Sequence, residues 1–296
     1  MKTIINLFIL VAISTSTIFP IKENPAFKIK IYGDGPNMFL IPGATCSGEV
    51  WNETVEKYKN DYRIHVFTLA GYGGVEALKS DEILPVIKDE LTKYILKHKS
   101  ENSILIGHSI GGFLGMWMAS EDNNLVDKII IVDALPFLPA VTNPALTEEI
   151  ARTSFANFKD FYINMDSTTV ETNQRMVLQG MIKNSGKIEF VLQQSIKSDK
   201  RTMGVTMYEL MSRDLRDDIA GITIPTLVLT SFDDSYDTLI GMTESKKQAL
   251  YQDQFKLWKS SRVKLIGNSR HFIMLDNPVT FFEEIDAFVK EKKMSF

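Results

Sequence analysis

Cysteine is almost missing from this chain: Cys46 is the only one in 296 residues. That excludes an intrachain disulfide and any multi-cysteine zinc site, whatever the compartment. An excess of one charge is missing too. The 37 acidic and 33 basic residues are mixed along the whole length and leave a formal net charge of −4, so there is no basic face for a phosphate backbone and nucleic acid is not an expected partner. Low-complexity linkers and internal repeats are absent. The N-terminal apolar run, Ile4 to Ile13, stops short of the roughly 20 residues that cross a bilayer, so no stable membrane span is expected. What is present is a composition 44% hydrophobic and 10% aromatic, enough to bury a full-sized core in one domain with an insertion.

The N-terminus has the order of a secretory signal peptide: Lys2, the apolar run, then the small polar stretch Ser14-Thr-Ser-Thr17. Residues 1–17 are read as that signal, which implies export to a periplasmic or extracellular location. No cysteine follows the run, so a lipoprotein anchor is excluded.

After residue 25, short runs rich in Ile, Leu and Val alternate with amphipathic stretches, the pattern of a mostly parallel sheet with helices on both faces. Strands are expected at 27–32, 38–41, 64–68, 103–106, 128–132, 226–230 and 263–266. Leu84 to His98 and Phe281 to Lys290 carry apolar residues at spacings of three and four, as helices should. From about 136 to 218 no strand is legible, and the segment reads as an inserted cap of short helices. It holds Met165, Met176, Met181, Met203, Met207 and Met211. Adaptable thioether side chains suit a cap over an apolar pocket, and they suit equally the packing of the cap on itself.

The strongest local signal is Gly107-His-Ser109-Ile-Gly111, preceded by the β-like Ser103 to Ile106 and followed by a helical stretch. A serine nucleophile has to stand clear on a strained strand-to-helix turn, and glycines flank it because side chains there would strike neighbouring backbone. Four histidines could serve Ser109 as base. His65 lies inside a strand run, His98 ends a charged helix and His108 is inside the motif. His271 follows the last strand through the polar loop 267–270, a place where loops carry chemistry. A carboxylate should follow a strand lying between serine and histidine in sequence. The run Pro225 to Ser231 ends in Phe232-Asp233-Asp234 and offers two. The oxyanion hole should combine the backbone N–H of Ile110 with one from the early loop 41–48, where Ala44 is the candidate. Cys46 lies in that same loop, but without a matching histidine it reads as a small apolar filler.

Together these blocks resemble the α/β-hydrolase superfamily, in its branch of capped esterases. The resemblance covers most of residues 27–291 and rests on Phe39-Leu-Ile-Pro-Gly43 leading to Trp51, Leu69-Ala-Gly-Tyr-Gly73, the serine motif, Pro225 to Asp234, and His271 to Asp276. It implies an α/β-hydrolase fold with a helical cap, and a triad of Ser109, Asp234 and His271 with Asp233 in reserve. One departure is plain: the family's usual His-Gly of the oxyanion loop is Pro42-Gly43 here. Serine in place of aspartate at 109 argues against dehalogenase and epoxide hydrolase chemistry, which need a carboxylate nucleophile. The expected reaction is hydrolysis of a carboxylic ester or thioester of a small, largely apolar substrate, with no cofactor and no metal. The alternatives are a ligand receptor on the same fold, and a cofactor-free lyase or perhydrolase using the same pocket.

Overall fold

The computed structural model describes residues 25–291; the expected signal peptide, residues 1–17, lies outside the described residues. Seven strands form one sheet: β1 (Phe27–Tyr32), β2 (Asn37–Ile41), β3 (Arg63–Leu69), β4 (Ile104–His108), β5 (Lys128–Val132), β6 (Thr226–Phe232) and β7 (Ser261–Gly267). Their order is β1-β3-β2-β4-β5-β6-β7. Every neighbouring pair is parallel except β1 with β3.

The unbroken apolar runs follow from burial on both faces. Side chains alternate along a strand, so in β5 Ile129 and Ile131 enter one core while Ile130 and Val132 enter the other. The first core is closed by α2 (Leu84–His98) and α3 (Ile110–Glu121), the second by α1 (Asn52–Tyr58) and, at the far end of the chain, a helix over Pro278–Lys290.

Between β5 and β6 the described chain is helical throughout: α4 (Glu148–Ser154), α5 (Phe158–Phe161), α6 (Ser167–Met181), α7 (Ser185–Ser195) and α8 (Lys200–Ser212), with short 3-10 turns at either end. These helices occupy the segment, 136–218, that reads from the sequence as an inserted cap. The breaks are local chemistry, for Thr147, Asp166, Asn184 and Asp199 each accept a first-turn backbone N–H and so start α4, α6, α7 and α8. After β6 come α9 (Asp234–Asp237), α10 (Glu244–Gln254), α11 (Ile273–Asp276) and α12 (Pro278–Lys290). No helix among the described residues is long and apolar enough to cross a membrane.

The strand order reverses around β2, which lies between β3 and β4. In open parallel sheets, ligands bind beyond the carboxyl ends of strands at such a switch point. The two segments leaving there are the loop after Ile41 and the turn after His108.

Candidate active site

Ser109 sits between β4 and α3 with φ 53° and ψ −121°, a conformation that costs a side-chain-bearing residue on the order of 1–3 kcal/mol. The turn is held by Ser109 N–H donating to Val132 O at 2.9 Å. The flanking glycines are sterically required: a Cβ on Gly107 would lie 2.4 Å from Gly111 O, and one on Gly111 would lie 2.4 Å from Ile41 O.

Ser109, His271 and Asp133 line one cavity of about 200 Å³. His271, on the loop after β7, donates from Nδ1 to Asp133 Oδ2 at 2.8 Å. The Asp133 side chain, 9% exposed, also accepts from Ser231 N–H at 3.0 Å, from Ser231 Oγ at 3.3 Å and from Tyr251 Oη at 3.1 Å. Burial alone would raise its pKa. The hydrogen bond and charge of His271, the Lys247 ammonium and the Ser231 amide outweigh this and hold the carboxyl well below the usual range. The group therefore faces His271 as an anion at neutral pH.

The partner of His271 is thus neither of the carboxylates expected from the sequence. Asp234 stands exposed on the first turn of α9, and Asp233 is buried but bound to Lys183 Nζ and Arg270 Nε, each at 2.7 Å. The reason is strand length. β5 and β6 run in register, Val132 beside Leu229, and β5 ends there, so Asp133 emerges level with the top of the sheet at positive φ (48°). β6 continues three residues further before its own aspartates. The missed signal was present in the sequence, since Lys128–Val132 is also a strand between serine and histidine and is followed at once by Asp133.

For the oxyanion site, Ile110 is the first residue of α3, where a backbone N–H lacks an intrahelical acceptor. Ala44 lies half-buried in the loop after β2. Gly43 in that loop abuts His108, because a Cβ there would lie 2.8 Å from His108 Nδ1. His108 itself is fully buried and donates from Nε2 to the His271 carbonyl at 2.9 Å, tying the strand of the serine to the loop of the histidine. Burial and the neighbouring His271 hold its pKa down to about 3, so it stays neutral with Nδ1 bare. Cys46 is buried, which pushes its thiol up to about 12 and leaves it inert.

The cavity wall is mostly apolar: Phe113, Leu135, Leu138, Val141, Leu210 and Met242 stand around it, with Lys247 and Tyr251 on the Asp133 side. Of the six cap methionines none lines it. Met165, Met203 and Met207 pack into the core beneath, while Met176 and Met181 are exposed. The segment 136–218 contributes Leu138, Val141 and Leu210 to the wall, and of its methionines Met165, Met203 and Met207 serve packing.

The neutral histidines predict acid sensitivity. His65, buried against Tyr94 Oη at 2.9 Å and Asn37 Oδ1 at 2.8 Å, is held down to about 4 by burial and by His98 and Arg63. Below pH 6.5, unfolded His65 and His108 would bind protons that the folded residues refuse. Their contribution to stability is therefore complete above pH 6.5 and lost as the pH falls towards 4. The loss is at most about 1.4 kcal/mol per pH unit per residue. Thermal melting should show a markedly lower Tm at pH 4.5 than at pH 7.5, and an unchanged Tm would contradict the assignment of neutral buried rings.

A serine on a strained elbow, a histidine bonded to a largely enclosed carboxylate and candidate oxyanion donors, all at the carboxyl edge of a mostly parallel sheet, define the hydrolase class of α/β proteins. The chain belongs to the α/β-hydrolase fold family, whose model matches residues 36–278. It is 26% identical over 268 residues to the pimeloyl-[acyl-carrier protein] methyl ester esterase of Vibrio atlanticus (strain LGP32), a match covering 88% of this chain and 94% of that one. Among solved structures it is similar to a thermophilic esterase from Thermogutta terrifontis, with TM-score 0.73 and 15% identity over 89% of this chain and 93% of that one. It is likewise similar to the enol-lactonase from Burkholderia xenovorans LB400, with TM-score 0.70 and 14% identity over 90% and 96% of the respective chains.

Proposed function

We propose that the protein is a serine esterase that cleaves a carboxylic ester or thioester of a small, largely apolar substrate through an acyl-enzyme, with Ser109, His271 and Asp133 as its triad. The observation that carries this reading is the 2.8 Å bond from His271 Nδ1 to Asp133 in a cavity that Ser109 also lines. With Nδ1 protonated by that bond, Nε2 is free to take the Ser109 proton as Oγ attacks the carbonyl. The resulting imidazolium is stabilised by the Asp133 anion and then protonates the leaving alcohol or thiol, and water repeats the sequence on the acyl-enzyme. The Ile110 and Ala44 amides are the proposed donors to the oxyanion. A relative named for hydrolysis of a methyl ester supports the ester bond as target.

The cavity sets the expected acyl length. About 200 Å³ is below the range of pockets that take drug-sized ligands, which favours short to medium acyl chains. On a panel of p-nitrophenyl esters and acyl thioesters, kcat/KM should climb a few-fold per methylene, each contributing up to about 0.8 kcal/mol. It should turn down at long acyl chains, once the cavity is full. A rise continuing to long chains would refute the size argument. No turnover of any ester or thioester by a well-folded protein would refute the esterase reading and favour a receptor or lyase.

Export is proposed separately, supported by the order Lys2, Ile4 to Ile13, Ser14 to Thr17. The mass of the protein recovered from its own cells tests it. A start between Ile13 and Phe19 supports cleavage, and an intact Met1 in the cytosol refutes it.

A further inference from the structure

We infer that Asp233, Arg270 and Lys183 form a positioning unit that couples docking of the cap to alignment of the base, an inference resting on the reading of His271 as that base.

Two carboxylates at the seam between cap and sheet each hold groups from both sides. Asp233, 1% exposed at the end of β6, accepts Lys183 Nζ from the α6–α7 turn of the cap and Arg270 Nε from the loop after β7. Asp276 accepts the Lys183 and Asn184 backbone N–H groups from the same cap turn, and the Arg270 N–H from the same loop. Arg270 reaches across as well, donating Nη1 to Gln179 O of α6 at 2.7 Å, and Phe272 N–H donates to Met181 O at 3.3 Å. Residues 270 and 272 flank His271 directly. The base is therefore held on both sides by contacts that exist only while the α6–α7 turn is docked.

A cap anchor alone would need bonds from cap to sheet. Here Asp233 and Asp276 each bridge the cap to the residues beside the base. The arrangement also explains why a buried carboxylate at the end of β6 does not serve His271: its two oxygens are already committed to Lys183 and Arg270, with Ser235 Oγ at 2.8 Å as a further donor. Arginine suits position 270 because its planar fork holds Nε on the Asp233 carboxylate while Nη1 reaches the separate Gln179 carbonyl in a fixed geometry.

The decisive variant is Lys183→Met, because the Lys183 side chain is on the cap, is about a third exposed and its charged end bonds Asp233. Using p-nitrophenyl butyrate and a fluorophosphonate, kcat and the rate of Ser109 labelling should both fall about tenfold, since small misplacements of a reacting group are costly. KM should stay within about twofold, as expected when only transition-state alignment is lost. Lys183→Arg, which restores a cation to Asp233, should recover most of the rate. Arg270→Lys, acting next to the base, should cost on the order of 10²-fold in kcat. If Lys183→Met lowers only Tm or raises only KM, with kcat and labelling intact, the coupling is refuted and the cluster is a cap anchor. If Asp133→Asn leaves the rate intact in the same assays, it is the identification of the base and its acid that fails.

Discussion

Asp133→Asn is expected to lower kcat on p-nitrophenyl esters by on the order of 10⁴-fold, the size of effect seen when a triad histidine is held in the wrong tautomer. Ser231 N–H donates to one Asp133 oxygen and Tyr251 Oη to the same one, so an asparagine there would keep its carbonyl towards them and turn its NH₂ towards His271. Nδ1 would then have to accept, and its proton would move to Nε2, the nitrogen that must receive the Ser109 proton. Asp234→Asn should change kcat by less than about twofold, because an exposed side chain away from the ring alters neither tautomer nor charge. Asp233→Asn should fall between the two, through Arg270 rather than through the imidazole. A 10⁴-fold loss at Asp233 or Asp234 with Asp133→Asn near wild type would reverse the assignment.

Ser109→Ala is expected to have the larger effect still, on the order of 10⁶-fold in kcat, with the residual rate coming from the oxyanion donors and binding alone. The fold should tolerate it. Alanine presents the same Cβ as serine at φ 53°, and the turn is held by the backbone bond to Val132 O, so Tm should not move while fluorophosphonate labelling disappears. Ser109→Gly would be inactive too but should be more stable, since glycine adopts a positive φ without strain. Labelling of Ser109→Ala at the wild-type rate would place the nucleophile elsewhere.

Legibility in the sequence followed the range of the interactions. The seven strands were readable because burial on both faces demands continuous apolar runs, and the observed elements differ from those expectations only at their ends. Lys128–Val132 was legible to the residue, whereas β6 runs two residues past the expected Thr230. The elbow was readable because its motif is contiguous in sequence and Gly107 answers to a contact within a few residues, with Gly111, although Gly111 itself meets Ile41 O on the neighbouring strand. His271 stood out by elimination among four histidines, and it lines the same cavity as Ser109.

The acid was not readable. Two strands between Ser109 and His271 end in aspartate, and composition treats them alike; what separates them is how far each strand rises past its neighbour. The cap methionines were ambiguous for a similar reason, because a helix face that packs on a core and one that lines a cavity have the same composition until the helix is docked. By itself the sequence determined the elements, their order and the residues whose constraints are local: Gly107, Ser109 and the capping residues between β5 and β6. Only the tertiary structure decided that Asp133 faces His271, that Asp233 is bound to Arg270 and Lys183, and that Leu138, Val141 and Leu210 line the cavity. Each of those depends on strand register and helix docking between segments far apart in sequence, 37 to 138 residues for the three polar pairs, distances over which no periodicity in the chain records which side chains will meet.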